Sequence, residues 1–217
     1  MPHEISRGLS AGSKKYGQRF LEAWHRFDEE NGRDPNLVVV DEVAHPQELL
    51  YAERLTDWVL CLNPEAPEQL LLAARSQHIC RWTIPRHTYE MTRVGYLRWR
   101  SDLKQFHAAK AAEILREVGY DADAIEQVRD LNLKKHLGHD PDCQVLEDAL
   151  CLVTLQHQLA DLVAKTERGK MIEILRKTWK KMSPLGREHA LTLSFSEEEK
   201  RLIEEALVAD GKEQNTG

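Results

Sequence analysis

Apolar side chains recur along this chain at intervals of three and four, the period of one helix face, and Gly, Pro and Asn cut the pattern into blocks. Tyr16, Phe20, Leu21, Trp24 and Phe27 form the first such face and predict a helix over 13–30, stopped by Asn31-Gly32-Arg33-Asp34-Pro35. Leu37-Val38-Val39-Val40 is β-prone, but no second strand is evident nearby, so an extended connector is expected there. His45-Pro46 opens the next block, with the proline in a first helical turn. Leu49, Leu50, Ala52, Leu55, Trp58, Val59 and Leu62 then carry a helix over 46–62. A third helix is predicted over 67–82, apolar on nearly every side from Leu70 to Ala74, as suits a helix central to a core.

The later blocks predict helices over 96–118, closed by Gly119, and over 121–136, capped by Asp121. Others follow over 142–165 and 169–182, with a short restart at Ser183-Pro184. The last runs over 196–208, where Ser196 before Glu197-Glu198-Glu199 reads as a cap and an acidic first turn. No sheet or repeat emerges. The expectation is an all-α fold, a single helical domain over 1–209, with 210–217 a disordered polar tail.

Composition narrows the class. A chain of 217 residues, 41% hydrophobic and 30% charged, can bury a sizeable core under a helical surface rich in ion pairs. A net charge of -6 counts against a nucleic-acid coat protein. No apolar run approaches the ~20 residues that cross a bilayer, and Met1 to Lys15 has no signal-peptide core. Cys61, Cys80, Cys143 and Cys151 form no C-x-x-C pair, so buried free thiols are expected. These features predict a cytoplasmic protein without a membrane or nucleic-acid partner; a homodimer stays open.

Four polar residues stand where helical core is expected: His45, His78, His107 and Asp148. A buried carboxylate is costly unless paired or bound to a cation. Imidazole and carboxylate together suit a divalent transition metal such as Zn, Mn, Fe or Co. Taken singly, each of these residues is an ordinary core or surface group; their order and spacing set them apart.

That order resembles the HD-domain superfamily of metal-dependent phosphohydrolases. His45 opens a helix, His78 follows 33 residues later, and Asp148-Ala149-Leu150-Cys151 lies 70 residues further on. Phe106 to Gly119 is similar to the H-x-x-x-x-A-x-x-L-x-x-x-G segment of many HD domains. The resemblance implies an HD-like core over about 42–165, with His45, His78 and Asp148 as metal ligands and His107 as a catalytic or supporting group. Where the superfamily places an aspartate after the second histidine, this chain has Ile79. Glu53, Asp57 and Asp102 are the candidates to replace that carboxylate, Glu53 the first choice as a catalytic residue. Three protein ligands plus water is the open arrangement of a catalytic metal site.

Arginines concentrate around the second and third histidines, and a guanidinium fork grips phosphate or carboxylate. Arg75, Arg81, Arg98 and Arg100 are therefore the expected substrate contacts, the rival assignment being solvated helix faces paired with carboxylates such as Glu90 or Asp102. The function expected from this set is metal-dependent hydrolysis of a small phosphorylated metabolite such as a nucleotide. The alternative is a degenerate HD-like domain that binds an anionic ligand or a protein partner without turnover.

Over most of its length the chain is also similar to a family of uncharacterised proteins, on His45-Pro-Gln-Glu-Leu-Leu-Tyr-Ala-Glu-Arg-Leu, Gln77-His-Ile-Cys-Arg-Trp, Gly95-Tyr-Leu-Arg-Trp-Arg and Arg176-Lys-Thr-Trp-Lys-Lys-Met-Ser-Pro. Some members carry the label glutamyl-tRNA synthetase. Lys181-Met182-Ser183 is a faint echo of a synthetase signature, but there is no His-x-Gly-His and no alternating strand–helix pattern here.

Overall fold

The computed structural model describes the backbone of residues 16–213; the expectations for 13–15 and for the last four residues of the tail lie outside the described residues. The fold is all-α. The first unit ends at Leu146 and the second begins at Glu147.

The first unit contains α1 (Gln18–Gly32), a hairpin of β1 (Leu37–Val40) and β2 (Val43–Pro46), α2 (Gln47–Leu62), α3 (Glu68–Ser76), α4 (Arg93–Val118) and α5 (Ala122–Leu133). Helix α6 (Pro141–His157) contains the point where the units are divided. Helices α7 (Leu159–Lys165), α8 (Arg168–Lys181), α9 (Pro184–Leu191) and α10 (Glu197–Glu213) complete the second unit.

Helix α3 is the centre of the first unit. It packs against α1, α2, α4 and α5, and Leu70 through Ser76 are all buried. This is the environment its all-round apolar sequence demands. Caps fall where turn chemistry puts them. Asp121 accepts the N–H of Ala124 at 2.8 Å, and Gly119 ends α4 in the left-handed region at φ 91°. Ser196 and Glu199 cap the start of α10 reciprocally, each side chain accepting the other's backbone N–H.

Several expectations need correction. Leu37–Val40 is not a free connector, because it pairs antiparallel with Val43–Pro46, His45 opposite Val38. Asp41 and Glu42 make the two-residue turn at φ 50° and 66°, a conformation for which Asn-Gly is the usual sequence signal. His45 therefore sits on a strand, and α2 starts at Gln47. Helix α3 stops at Ser76, six residues early, and Gln77 to Cys80 form a turn. The predicted 142–165 helix breaks at Gln158, whose ψ of -12° interrupts the run. Helix α10 runs on to Glu213, beyond the predicted 208, into the stretch expected to be disordered. All four cysteines are free thiols, yet Cys61 is exposed rather than buried.

The entry to α4 sets the direction of the helix that carries His107. Arg86 donates to the carbonyls of Tyr89, Glu90 and Thr92, gathering the preceding loop. The Thr92 hydroxyl accepts from Gly95 N at 3.1 Å. Gly95 packs so closely on this loop that an added Cβ would overlap the Glu90 carbonyl. Overlap with backbone cannot relax by a rotamer change, so Gly95→Ala should destabilise the protein by about 1–3 kcal/mol. Chemical denaturation of the wild type and variant checks this; equal midpoints would show that the junction is looser than described.

Candidate functional site

The best-organised polar cluster lies in the first unit, where the start of α2, the turn after α3 and the middle of α4 meet. Glu48, Tyr51, His78, Arg81, Trp99 and His107 are its side chains.

Glu48 is placed by α1. Asp34, two residues after that helix ends at Gly32, is buried; one carboxylate oxygen holds Asn36 and the other accepts the N–H of Glu48 at 3.0 Å. Pro46 offers no capping side chain, so Asp34 caps α2 from fourteen residues away. Glu48 is only 3% exposed and lies in the first turn of its helix, where the axial dipole favours a negative charge. Its position continues the buried stripe of Ala52, Leu55, Val59 and Leu62. Burial pushes its carboxyl above the ordinary value, against the lowering influence of Arg81.

His78 and Arg81 are brought to Glu48 by the turn that ends α3. Cys80 stands in the left-handed region at φ 54°, a strained setting for a residue with a Cβ. Its N–H donates at 3.2 Å to the side-chain oxygen of Asn31, which is fully buried at the end of α1. The Cys80 thiol lies 3.4 Å from Glu30, and burial with that carboxylate raises it to about 12, so it is no nucleophile. His78 Nδ1 lies 3.3 Å from Glu48 and Arg81 Nε 3.7 Å from it. Arg81 also donates at 3.4 Å to His78 Nε2. Because guanidinium only donates, Nε2 accepts, and the neutral ring carries its proton on Nδ1, facing Glu48. Burial, followed by the positive charges of Arg81, Arg100 and Lys134, holds His78 well below the usual histidine range. The ring stacks on Tyr51 at 4.1 Å, and Arg81 lies over Trp99 at 5.0 Å.

His107 closes the cluster from α4, whose buried stripe Gly95, Trp99, Leu103, His107, Ala111 and Leu115 recurs every four residues. Its ring is 3% exposed and centred 5.7 Å from that of His78. Nδ1 lies 2.8 Å from the carbonyl of Ile79, which can only accept, so Nδ1 carries the proton. Nε2 is buried without a hydrogen-bond partner. Burial, then the neighbouring His78, lowers this histidine to about 3, against the raising effect of the Ile79 bond.

The residues expected to form the site divide as follows. His78, His107 and Arg81 come together, and Arg100, exposed at the rim, acts on His78 through its charge. Arg98 is exposed on α4. Arg75 is not a substrate contact. It is 3% exposed, bonded through two nitrogens to Asp28, 4.0 Å from Glu53 and stacked over Trp24, so both it and Glu53 are tied into an internal network. Asp102 accepts from the Tyr89 hydroxyl at 2.9 Å, and Asp57 is buried in α2. His45 is half-buried on β2. In the second unit, Asp148 accepts the backbone N–H of Ser183 at 2.8 Å and, with its other oxygen, the Ser183 hydroxyl. Ser183 in turn caps α9, and Gly186 passes so close that a Cβ there would stand 2.6 Å from the Asp148 carboxyl carbon. Asp148 thus has a structural role at the start of that helix.

Among the described residues, no group of three or more His, Cys, Asp or Glu side chains is arranged to hold a metal ion. The donor chemistry of the cluster agrees. Both nitrogens of His78 face Glu48 or Arg81, and a guanidinium 3.4 Å from a ligand nitrogen would repel a cation. Glu48 and Tyr51, absent from the expected site, had one sequence signal: Glu48 is a carboxylate on the apolar stripe of its own helix. The second unit has an apolar crevice whose lining includes Leu155, Leu175, Trp179, Phe195 and Ile203.

A family model described as a domain of unknown function, DUF4202, matches residues 21–203. No curated protein and no solved structure matches the chain. No helix among the described residues is long and apolar enough to cross a membrane.

The buried neutral histidine carries a pH signature. The unfolded chain protonates His107 near 6.5, the folded protein only near 3, so acidification favours unfolding throughout that interval. Between pH 6.5 and about 4 this residue alone should remove on the order of 3 kcal/mol of stability. Denaturation midpoints of the wild type and His107→Phe across this range check it. The wild type should lose stability more steeply as pH falls; parallel curves would contradict a neutral, buried His107.

Proposed function

The chain belongs to the DUF4202 family, a domain of unknown function, and we propose that its first unit binds a small phosphate-bearing anion at the Glu48–His78–Arg81–His107 cluster, as an HD-like domain that works without a resident metal. The observation that carries this reading is the loose engagement of Arg81. Its guanidinium stands 3.7 Å from the nearest Glu48 oxygen, beyond hydrogen-bond length, and 3.4 Å from His78. The buried Arg75, by contrast, is locked to Asp28 by two hydrogen bonds. An arginine held in place by Trp99 stacking and weak contacts keeps donors for a ligand. Arg100 and Lys134 add positive charge around His78. A cytoplasmic setting belongs to the same proposal and suits four free thiols.

A second reading keeps the metal-dependent phosphohydrolase. It rests on His107, whose Nδ1–H donates to a backbone carbonyl and leaves Nε2 as an acceptor, the orientation of a metal-ligating imidazole. One such nitrogen beside an arginine is a poor cation site, so binding without hydrolysis is the reading we favour. Elemental analysis of the purified chain separates the two. About one equivalent of a transition metal, lost in His107→Ala, would favour the hydrolase.

Calorimetry with inorganic phosphate and a nucleoside monophosphate tests the anion site. Arg81→Glu and Arg100→Glu should each weaken binding roughly 10- to 100-fold, the value of one or two charge-assisted hydrogen bonds together with the reversal of charge. Arg75→Glu should instead unfold the protein or lower its stability severely, because it sets Asp28 and Glu53 against a third carboxylate. Unchanged affinity in both Arg81→Glu and Arg100→Glu would remove the anion site.

A further inference from the structure

On the basis of the anion-site reading, we propose that the ligand is an oxyanion that brings its own O–H donor, either hydrogen phosphate or a hydroxylated phosphate ester, and that His107 Nε2 accepts that hydrogen bond. The site is not a simple nest of donors. Beside Arg81 it presents two acceptors, the Glu48 carboxyl and His107 Nε2. The second of these is fixed as an acceptor because Nδ1–H is committed to the Ile79 carbonyl at 2.8 Å. The ring is 3% exposed, and Nε2 has no partner in the protein.

Buried acceptors are nearly always satisfied, so an orphan of this kind marks where something outside the chain contributes a donor. Its surroundings say what that something is. His78 lies 5.7 Å away ring to ring, and Arg81 and Glu48 both influence His107 electrostatically, so the ring that carries the orphan neighbours the cluster of Arg81, His78 and Glu48. An anion with lone pairs only would set oxygen against Nε2 and against Glu48. An anion with a hydroxyl turns the first contact into a hydrogen bond while Arg81 takes the charge. The neutral state of His107 above pH 3 keeps Nε2 an acceptor at any physiological pH.

Sulfate and phosphate differ in this one property near pH 8: sulfate carries no proton, and phosphate is largely HPO4 dianion. The full chain should bind hydrogen phosphate roughly tenfold or more tightly than sulfate by calorimetry, since an unsatisfied buried acceptor costs about that much. Glycerol 3-phosphate supplies the donor from a neighbouring hydroxyl. If it gains over sulfate while hydrogen phosphate does not, the ester's hydroxyl is the source; gain by hydrogen phosphate alone places the donor on the anion itself, and gain by both means that either O–H serves. His107→Phe, which keeps an aromatic ring and removes the acceptor, should abolish the preference for the O–H-bearing anions over sulfate. Should that variant fail to fold, the 15N resonance of His107 Nε2 in the wild type gives the same answer, moving upfield with the preferred ligand and staying put with sulfate. Equal binding of sulfate and both phosphates, or an unmoved resonance on saturation, overturns the donor inference and leaves the anion site standing. Absence of binding for all three anions overturns the anion site as well.

Discussion

The first unit depends on burying the Glu48 carboxylate at the start of α2. A carboxylate that is 3% exposed cannot stand without compensation, and every neighbouring element supplies part of it. The helix dipole of α2, the guanidinium of Arg81 and the Nδ1–H of His78 all face it. The end of α1 holds these parts together: Asp34 pins the backbone of Glu48, and Asn31 pins the strained turn at Cys80 that carries His78 and Arg81. A polar stop signal after an amphipathic helix thus becomes the hub of a site. The left-handed Cys80 stores a small strain cost there, held by a side chain that is fully buried.

Two arginines six residues apart stand in contrasting environments. Arg75, on the central helix, is neutralised by Asp28 and Glu53 and covered by Trp24. Arg81, past the turn, is stacked but only loosely paired. Burial lowers both histidines, reinforced at His78 by Arg81, Arg100 and Lys134; at His107 the neighbouring His78 and Arg81 add to it, and the Ile79 bond and Glu48 oppose it. The result is a cluster whose positive charge resides on guanidinium groups and whose imidazoles serve as fixed hydrogen-bonding rings, and the proposal of an anionic ligand rests on that arrangement.

Helix period made most of the architecture legible in the sequence. The all-round apolar run Leu70 to Ala74 marked α3 as central, and Asp121, Gly119, Ser183 and Ser196 marked helix ends where they occur. The hairpin escaped because its turn is Asp41-Glu42, with a glutamate in the second position where glycine is the usual signal, and because β2 runs into a proline that reads as a helix start. For the site, sequence order singled out His78, His107 and Arg81 correctly as neighbours but could not distinguish Arg75 from Arg81, since both sit three residues from His78. Asp148 was conspicuous as a carboxylate in an apolar run, yet its partner is the Ser183 cap, 35 residues later, a pairing no local pattern announces. Glu48 stood out only as a carboxylate on its helix's apolar stripe, and a glutamate at a helix start is ordinary.

The central claim is that Arg81 and His107 face an anion and not a metal. Crystals of the full chain soaked in arsenate near pH 8, with anomalous diffraction recorded above and below the arsenic edge and at transition-metal edges, test it most directly. Hydrogen arsenate has the charge, shape and O–H of hydrogen phosphate and can be located without ambiguity. The account predicts an arsenic peak with one oxygen within hydrogen-bond distance, about 2.7–3.2 Å, of an Arg81 nitrogen and another at His107 Nε2. A transition-metal peak about 2.0–2.1 Å from His107 Nε2, or an arsenic peak elsewhere with this cluster left unchanged, would contradict it.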